Sequence, residues 1–414
     1  NATPRTRPDD LGCLKLLLAH GASATIVRND KSTVLMCACA LGEHRAVELL
    51  LTKSDATETL DWLDGSYRCA LRCACNYDAP KIMVETNPAL EHMPKTGRLF
   101  ALVGVHQKFE RCVQLLLRGK AVVDGLRTFT PLMEASRRGN AGCVRILIKH
   151  RANHHVMHEG ETVLMRAARQ NHHSTTRVLL KGLQEAEAQT SGVADYVNLR
   201  SKYDSKSNYS PWITNPDNSA SATSSGSEPE LETEQMTALL LACEKLHEKC
   251  IHILLEFGAD VHAQSTFRNT PLLSLMASKN ASVKRDPMSE PGAASKTKRC
   301  LLTLLEHGAA YDGQNFMLNH QNDDKSTALT LAAEQGRLDC VTLCIEKYRD
   351  ALDLNTEDQN ESTALLFACK GSLVPMKSEV CIKLVSVLLS AGADPSRRSP
   401  LLHIVHEDAA VEVA

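Results

Sequence analysis

A short phrase recurs along most of this chain: threonine, any residue, leucine, and then alanine or cysteine a turn later. It occurs at Thr33 and Leu35 with Ala38 and Cys39, at Thr130 and Leu132 with Ala135, and at Thr162 and Leu164 with Ala167 and Ala168. It returns at Thr237 and Leu239 with Ala242 and Cys243, at Thr327 and Leu329 with Ala332 and Ala333, and at Thr363 and Leu365 with Ala368 and Cys369. Taking the threonine as a phase mark and admitting worn copies, the marks fall at 33, 69 (cysteine), 99, 130, 162, 237, 270, 327, 363 and 399 (serine). The base period is close to 33 residues, interrupted by gaps of 75 after Thr162 and 57 after Thr270. A fixed phrase at near-fixed spacing specifies a row of like supersecondary units. At 414 residues the chain exceeds one ordinary domain, unless such repetition extends a single core along a line.

Each unit reads as helix–turn–helix. Threonine or serine caps the first helix, and Pro131, Pro271 and Pro400 occupy the first helical position, where a missing N–H costs nothing. Gly42, Gly139 and Gly336 mark the turn, and a second helix follows with apolar spacing such as Val144, Ile146 and Leu147. Gly21, Gly258, Gly308 and Gly392 then end that helix in a left-handed cap. Aromatics make up only 4% against 43% hydrophobic residues, so the core is built of Leu, Ala, Val and Cys. Of fifteen cysteines, Cys13, Cys112, Cys143, Cys250, Cys300 and Cys340 precede an aliphatic helix segment, and Cys39, Cys75, Cys243 and Cys369 follow the mark by six. Repeat-equivalent slots and an odd total predict packed thiols in a reducing compartment, not a disulfide framework.

With these residues in place, the chain resembles the ankyrin-repeat family, whose phrase Thr-Pro-Leu-His-x-Ala-Ala is followed by Gly and a helix ending in Gly-Ala-Asp. The resemblance covers about 10–400 outside the insertions. It implies an all-α solenoid of about ten helix-turn-helix units with finger loops, whose concave face of fingers and first helices binds other proteins. One departure is consistent. The family histidine is replaced by Met36, Met133, Met165, Leu240, Leu273 or Leu366, which predicts loss of a hydrogen bond that ties the turn. The units across 66–128 are worn.

The breaks divide the chain into an N-terminal repeat block, 1–184, a flexible acidic insertion, 185–234, and a C-terminal block, 235–414, with a basic loop at about 279–298. Asp195 to Asn198 resembles the start of a finger, which places the first insertion inside one. Its later part, Asn215 to Glu234, is rich in Ser, Asn, Pro and Glu and is expected to be disordered. The second insertion carries Lys284, Arg285, Lys296 and Lys298 between the two helices of one unit. From Arg127 to Lys181 ten basic residues face three acids, whereas 182–236 holds nine acids and three bases. Two readings stay open: an acidic tether, deepened by phosphorylation at Ser225 and Ser227, that shields a basic face, or a solvated helix surface beside an unrelated linker.

Chemistry finds little support. His247 and His252 are five apart, where the zinc-protease motif needs four. Cys69, Cys73 and Cys75 lack zinc-ribbon spacing, and the histidines from His150 to His158 read first as a solvated finger. There is no Walker loop, dinucleotide turn or serine elbow. The expectation is a non-enzymatic interaction scaffold or adaptor without cofactor, metal or small-molecule substrate. The alternative is a regulatory or substrate-recruiting segment of a larger enzyme complex or ion channel, and the chain, opening at Asn1, is read as a fragment. Partner-binding candidates are Arg127, Phe129, Arg137, Arg138, His155, His158, Arg166, Arg169, His262, Phe267 and Arg268. The partners are proteins, with an acidic surface as one option; nucleic acid is disfavoured, because few aromatics interleave the bases. No apolar run reaches the 18 or so residues of a bilayer span, so membrane insertion is not expected and the compartment is read as cytoplasmic, with the nucleus compatible.

Overall fold

The computed structural model describes residues 11–53, 57–79, 81–82, 95–126, 129–186, 192–201, 235–278, 291–308, 315–370 and 378–397. Among these there is no β-strand, only isolated bridges joining Val27 to Thr33 and His158 to Glu161. The chain divides into two compact units, Asn1–Val193 and Ala194–Ala414. Arg127, the bulk of the acidic insertion (202–234), Lys284 and Arg285 of the basic loop, and the phase mark at 399 lie outside the described residues.

The first unit holds α1 (Leu11–Ala19), α2 (Val34–Ala40), α3 (His44–Leu51), α4 (Ala70–Cys75), α5 (Lys95–Arg118), α6 (Pro131–Arg138), α7 (Ala141–Lys149), α8 (Val163–Arg169) and α9 (His173–Ala186). They form two layers. First helices α2, α4, α6 and α8 pack side by side in that order, as do second helices α1, α3, α5, α7 and α9. The second unit opens with the short α10 (Gly192–Val197), followed by α11 (Ala238–Glu244), α12 (Glu248–Glu256), α13 (Pro271–Ala277), α14 (Pro291–Gly308), α15 (Asn315–Asn319), α16 (Ala328–Glu334), α17 (Leu338–Tyr348), α18 (Ala364–Lys370) and α19 (Ser378–Ser390). There α11, α13, α16 and α18 make the first layer and α12, α14, α17 and α19 the second.

The phase-mark threonines explain where seven of the eight first helices start, the exception being α4, which follows Cys69 and has no side-chain cap. In all seven, the hydroxyl accepts the backbone N–H three residues on, at 3.1–3.3 Å, and the threonine is at most 2% exposed. The expected loss of the turn-tying hydrogen bond is only partly found. The Thr33 and Thr162 N–H groups donate to Sδ of Met36 and Met165 at 3.5 Å, and the Thr327 N–H donates to Thr330 Oγ1 at 2.8 Å. Methionine thus keeps a weak form of the bond, because thioether sulfur is an acceptor. Gly21, Gly258 and Gly392 are left-handed as expected, and so are the turn glycines Gly42, Gly139 and Gly336. Gly308 is not; there space decides, since an added Cβ would sit 2.5 Å from Met317 Sδ.

The worn region departs from ten separate helix pairs. Residues Lys95–Arg118 form one helix of 24 residues, so the mark at 99 starts no helix pair of its own. Instead α4 supplies the first helix and the C-terminal half of α5 the second, between α3 and α7. Phe109, Cys112, Val113 and Leu116 bury that half, at 0–1% exposure. The units read at 69 and 99 are therefore one unit split by a long excursion between its helices.

Two polar ladders tie neighbouring repeats. In one, a side-chain oxygen after a second helix accepts a backbone N–H from the next repeat: Asp61 from Val122, Asp124 from Asn153, Asn198 from Asp260, Asn319 from Asp353, and Asn355 from Asp394, at 2.8–2.9 Å. In the other, the residue ten past the mark reaches back to carbonyls ending the preceding first helix. Asn140 donates to Cys75 and Tyr77, His172 to Arg137, and Arg337 to Ser278. These bonds satisfy backbone groups that loops otherwise leave unpaired. The first insertion leaves and re-enters at one point: the Ser201 N–H donates to the Met236 carbonyl at 2.8 Å, and the Met236 N–H to Ser201 Oγ at 2.7 Å.

Candidate functional site: a charged face around Phe129

The sequence candidates of the first unit converge on the first-helix and finger face. Phe129 precedes the cap of α6 and is half-buried. The guanidinium of Arg72, from α4, lies 4.4 Å from its ring centroid and that of Arg166, from α8, lies 5.2 Å away. The His158 ring meets it edge-on at 4.8 Å. Phe129 is thus held between three neighbours from adjacent repeats, in contacts where ring quadrupole and cation attract. It is not a free aromatic tip.

Around it, five arginines are matched by three carboxylates. Glu134, 1% exposed, bonds Arg72 Nε at 3.4 Å and Arg137, with Arg138 Nε at 3.6 Å. Arg166 bonds Glu159 at 2.9 Å and the His158 carbonyl at 2.8 Å, and lies 3.7 Å from Glu161, which also pairs with Arg169. Arg72 and Arg166 are nearly enclosed, whereas Arg137, Arg138 and Arg169 expose about a third to a half of their side chains. Burial pushes the Arg72 pKa down against the pull of Glu134, and lowers that of His158 despite Glu159 beside it. His158 therefore favours the neutral ring among these cations.

His155 is exposed, its ring 4.1 Å from that of His154, outside the Phe129 cluster. In the second unit His262 is half-buried with its N–H on Asp260, while Phe267 and Arg268 are exposed at a finger tip. Arg268 is left-handed there, at φ 55°. Its carbonyl accepts from His320, and the carbonyl of Phe267 from the Asp323 N–H, so neighbouring fingers are linked. Arg72 is the member of the site that sequence reasoning missed. It occupies the slot three past the mark that holds Met36, Met133 and Met165 in sister units, and a charge in an apolar column was the available signal. Among the described residues, no group of three or more His, Cys, Asp or Glu is placed to hold a metal, and no helix is long and apolar enough to cross a membrane.

A family model of three ankyrin repeats matches residues 102–190 and 292–399, and a single ankyrin-repeat model matches 234–266. No curated protein matches the chain in sequence. Among solved structures, that of the human ASB11 ankyrin repeat domain is similar over 88% of this chain and 100% of that one, at 17% identity and a TM-score of 0.44.

Proposed function

The chain belongs to the ankyrin-repeat family, and from that premise we propose that it is a non-enzymatic interaction module whose first unit binds an acidic segment of a partner protein. The observation that carries this reading is the Phe129 cluster. Burying Glu134 and Arg72 is a poor route to stability, since desolvation offsets most of the attraction. What the arrangement supports is order: Arg137, Arg138 and Arg169 present pre-positioned guanidinium edges, a geometry suited to carboxylates. The finger tip at Phe267 and Arg268 offers a second contact, an aromatic beside a cation.

The test is a cellular pull-down with the intact chain, repeated with Arg137→Ala and Arg169→Ala together and with Phe267→Ala. Partners captured by the native chain should be lost or reduced at least tenfold with the arginine pair changed. Full retention at low salt by both variants sinks the proposal.

A further inference from the structure

Much of the basic excess between residues 127 and 181 lies away from the face just described. The three acids of that stretch, Glu134, Glu159 and Glu161, are all engaged by first-helix arginines. The surplus sits on the opposite, second-helix face. Counting 12, 15 and 19 residues from the mark gives Arg111, Gln114 and Arg118 on α5, Gly142, Arg145 and Lys149 on α7, and Ser174, Arg177 and Lys181 on α9. Six of these nine positions are basic and none is acidic. Five of the six are exposed and Arg177 is half-exposed, while Cys112, Leu116, Cys143, Leu147, Leu179 and Leu180 bury the other side of the helices. Glu110, half-buried, is the acid that Arg145 acts on.

The pattern is confined to these three helices, since α3 of the same unit reads Arg45, Glu48 and Thr52 at the same positions. The corresponding positions in the second unit, set for α14 by Cys300 because the insertion displaces the count from Thr270, read Lys249, His252 and Glu256, then Arg299, Leu302 and Glu306, then Asp339, Thr342 and Glu346. In α12, α14 and α17 glutamate (Glu256, Glu306 and Glu346) stands where α5, α7 and α9 carry Arg118, Lys149 and Lys181. Since α5 packs on α7 and α7 on α9, with neighbouring axes about 8–10 Å apart, and seven residues of helix rise about 10 Å, the cations form a grid about 20 Å by 10 Å.

We infer that this second-helix face docks on the surface of a bilayer rich in anionic lipid headgroups, without inserting into it. The cations stand on the outside of three packed helices. Among the described side chains, no exposed large hydrophobic residue lies on α7 or α9, and on α5 over 101–118 only Val103 is exposed, well before the grid. An aromatic platform for nucleobases is likewise missing from the nine positions. What remains is a field of long, adaptable cations, which suits headgroups that diffuse to meet them. Attraction of this kind contributes additively per basic residue and fades with salt.

The test is flotation of the full chain with vesicles of phosphatidylcholine alone or with about one-third phosphatidylserine, at low and rising salt. The native chain should float only with the anionic vesicles and be released as salt rises. Changing Arg118, Lys149 and Lys181 to Glu together should weaken binding at least a hundredfold (about 1 kcal/mol per basic residue lost). Lys249→Glu with Lys347→Glu should leave it unchanged, and an unaltered thermal transition of the triple variant shows that it folds. Equal binding to neutral vesicles, or full binding by the triple variant, overturns the inference. Tighter binding to a DNA or RNA duplex than to anionic vesicles at the same salt overturns the lipid assignment. Neither result bears on partner capture through Arg137 and Arg169.

Discussion

Replacing Glu134 by Ala is the most incisive perturbation of the Phe129 cluster. The Glu134 and Arg72 side chains are 2% and 8% exposed, so the substitution strands a buried guanidinium. Breaking such a pair costs about 3–5 kcal/mol. The lower end applies, because Arg72 keeps the Tyr67 carbonyl at 3.4 Å and the Phe129 ring at 4.4 Å. Arg137 and Arg138, with side chains 36% and 33% exposed, turn to water and add little. A loss of about 3 kcal/mol lowers the melting temperature by about 6–12 °C for a unit of this size. Circular dichroism gives the transition, and hydrogen exchange across residues 131–169 assigns it to the first unit. Arg72→Met with Glu134→Leu, the residue types at Met133 and Leu241 in sister repeats, should recover most of the loss because the pair is removed together. A loss below about 1 kcal/mol for Glu134→Ala, or a double variant no better than the single, refutes the reasoning.

Four further outcomes follow from the same structure. Gly139→Ala forces a Cβ to 2.5 Å from His172 Nδ1 at φ +78°, so it should cost more than about 1 kcal/mol in urea denaturation; a neutral result refutes the fit. Burial lowers the folded-state pKa of His106, His158 and His172. Their neutral rings therefore support stability above the usual value of 6.5, and that support is lost as pH falls through 6.5 toward the folded values. Melting temperature should drop on acidification and drop less in His172→Gln, whereas a rise would contradict the sign. Burial pushes the thiols of Cys73, Cys112, Cys300 and Cys344 up to about 12. Brief alkylation at mildly basic pH should then mark exposed Cys13 well before any of those four, as read by mass spectrometry. Asn319→Ala removes an acceptor for the Asp353 N–H and a donor to the Ala351 carbonyl, and should cost about 1–3 kcal/mol in chemical denaturation.

Much of this was legible locally. The threonine caps and most left-handed glycines depend on residues within one turn, so sequence spacing locates them. The merger of the units at 69 and 99 was hidden for the opposite reason. Cys112 stands thirteen residues past 99 just as Cys143 does past Thr130, and only the packing of α5 between α3 and α7 shows which first helix it serves. Charge was similar: the excess could be counted, but its division between two faces depends on pairs such as Arg72 with Glu134, 62 residues apart. Cys13 shows that an equivalent slot need not be equally buried. It holds the slot of Cys112 and Cys143, yet it is exposed where they are fully buried.

The clasp between Ser201 and Met236 separates fold from cargo. Because the two residues hold each other by reciprocal hydrogen bonds, the chain between them enters and leaves the finger through a closed gate. The closure penalty for such an excursion grows only with the logarithm of its length, about 0.6 kcal/mol for each doubling. By closure cost alone, the 33 positions from 202 to 234 can therefore be lengthened or shortened at little expense. Ser201–Met236 is thus a splice point at which a whole foreign domain could be carried.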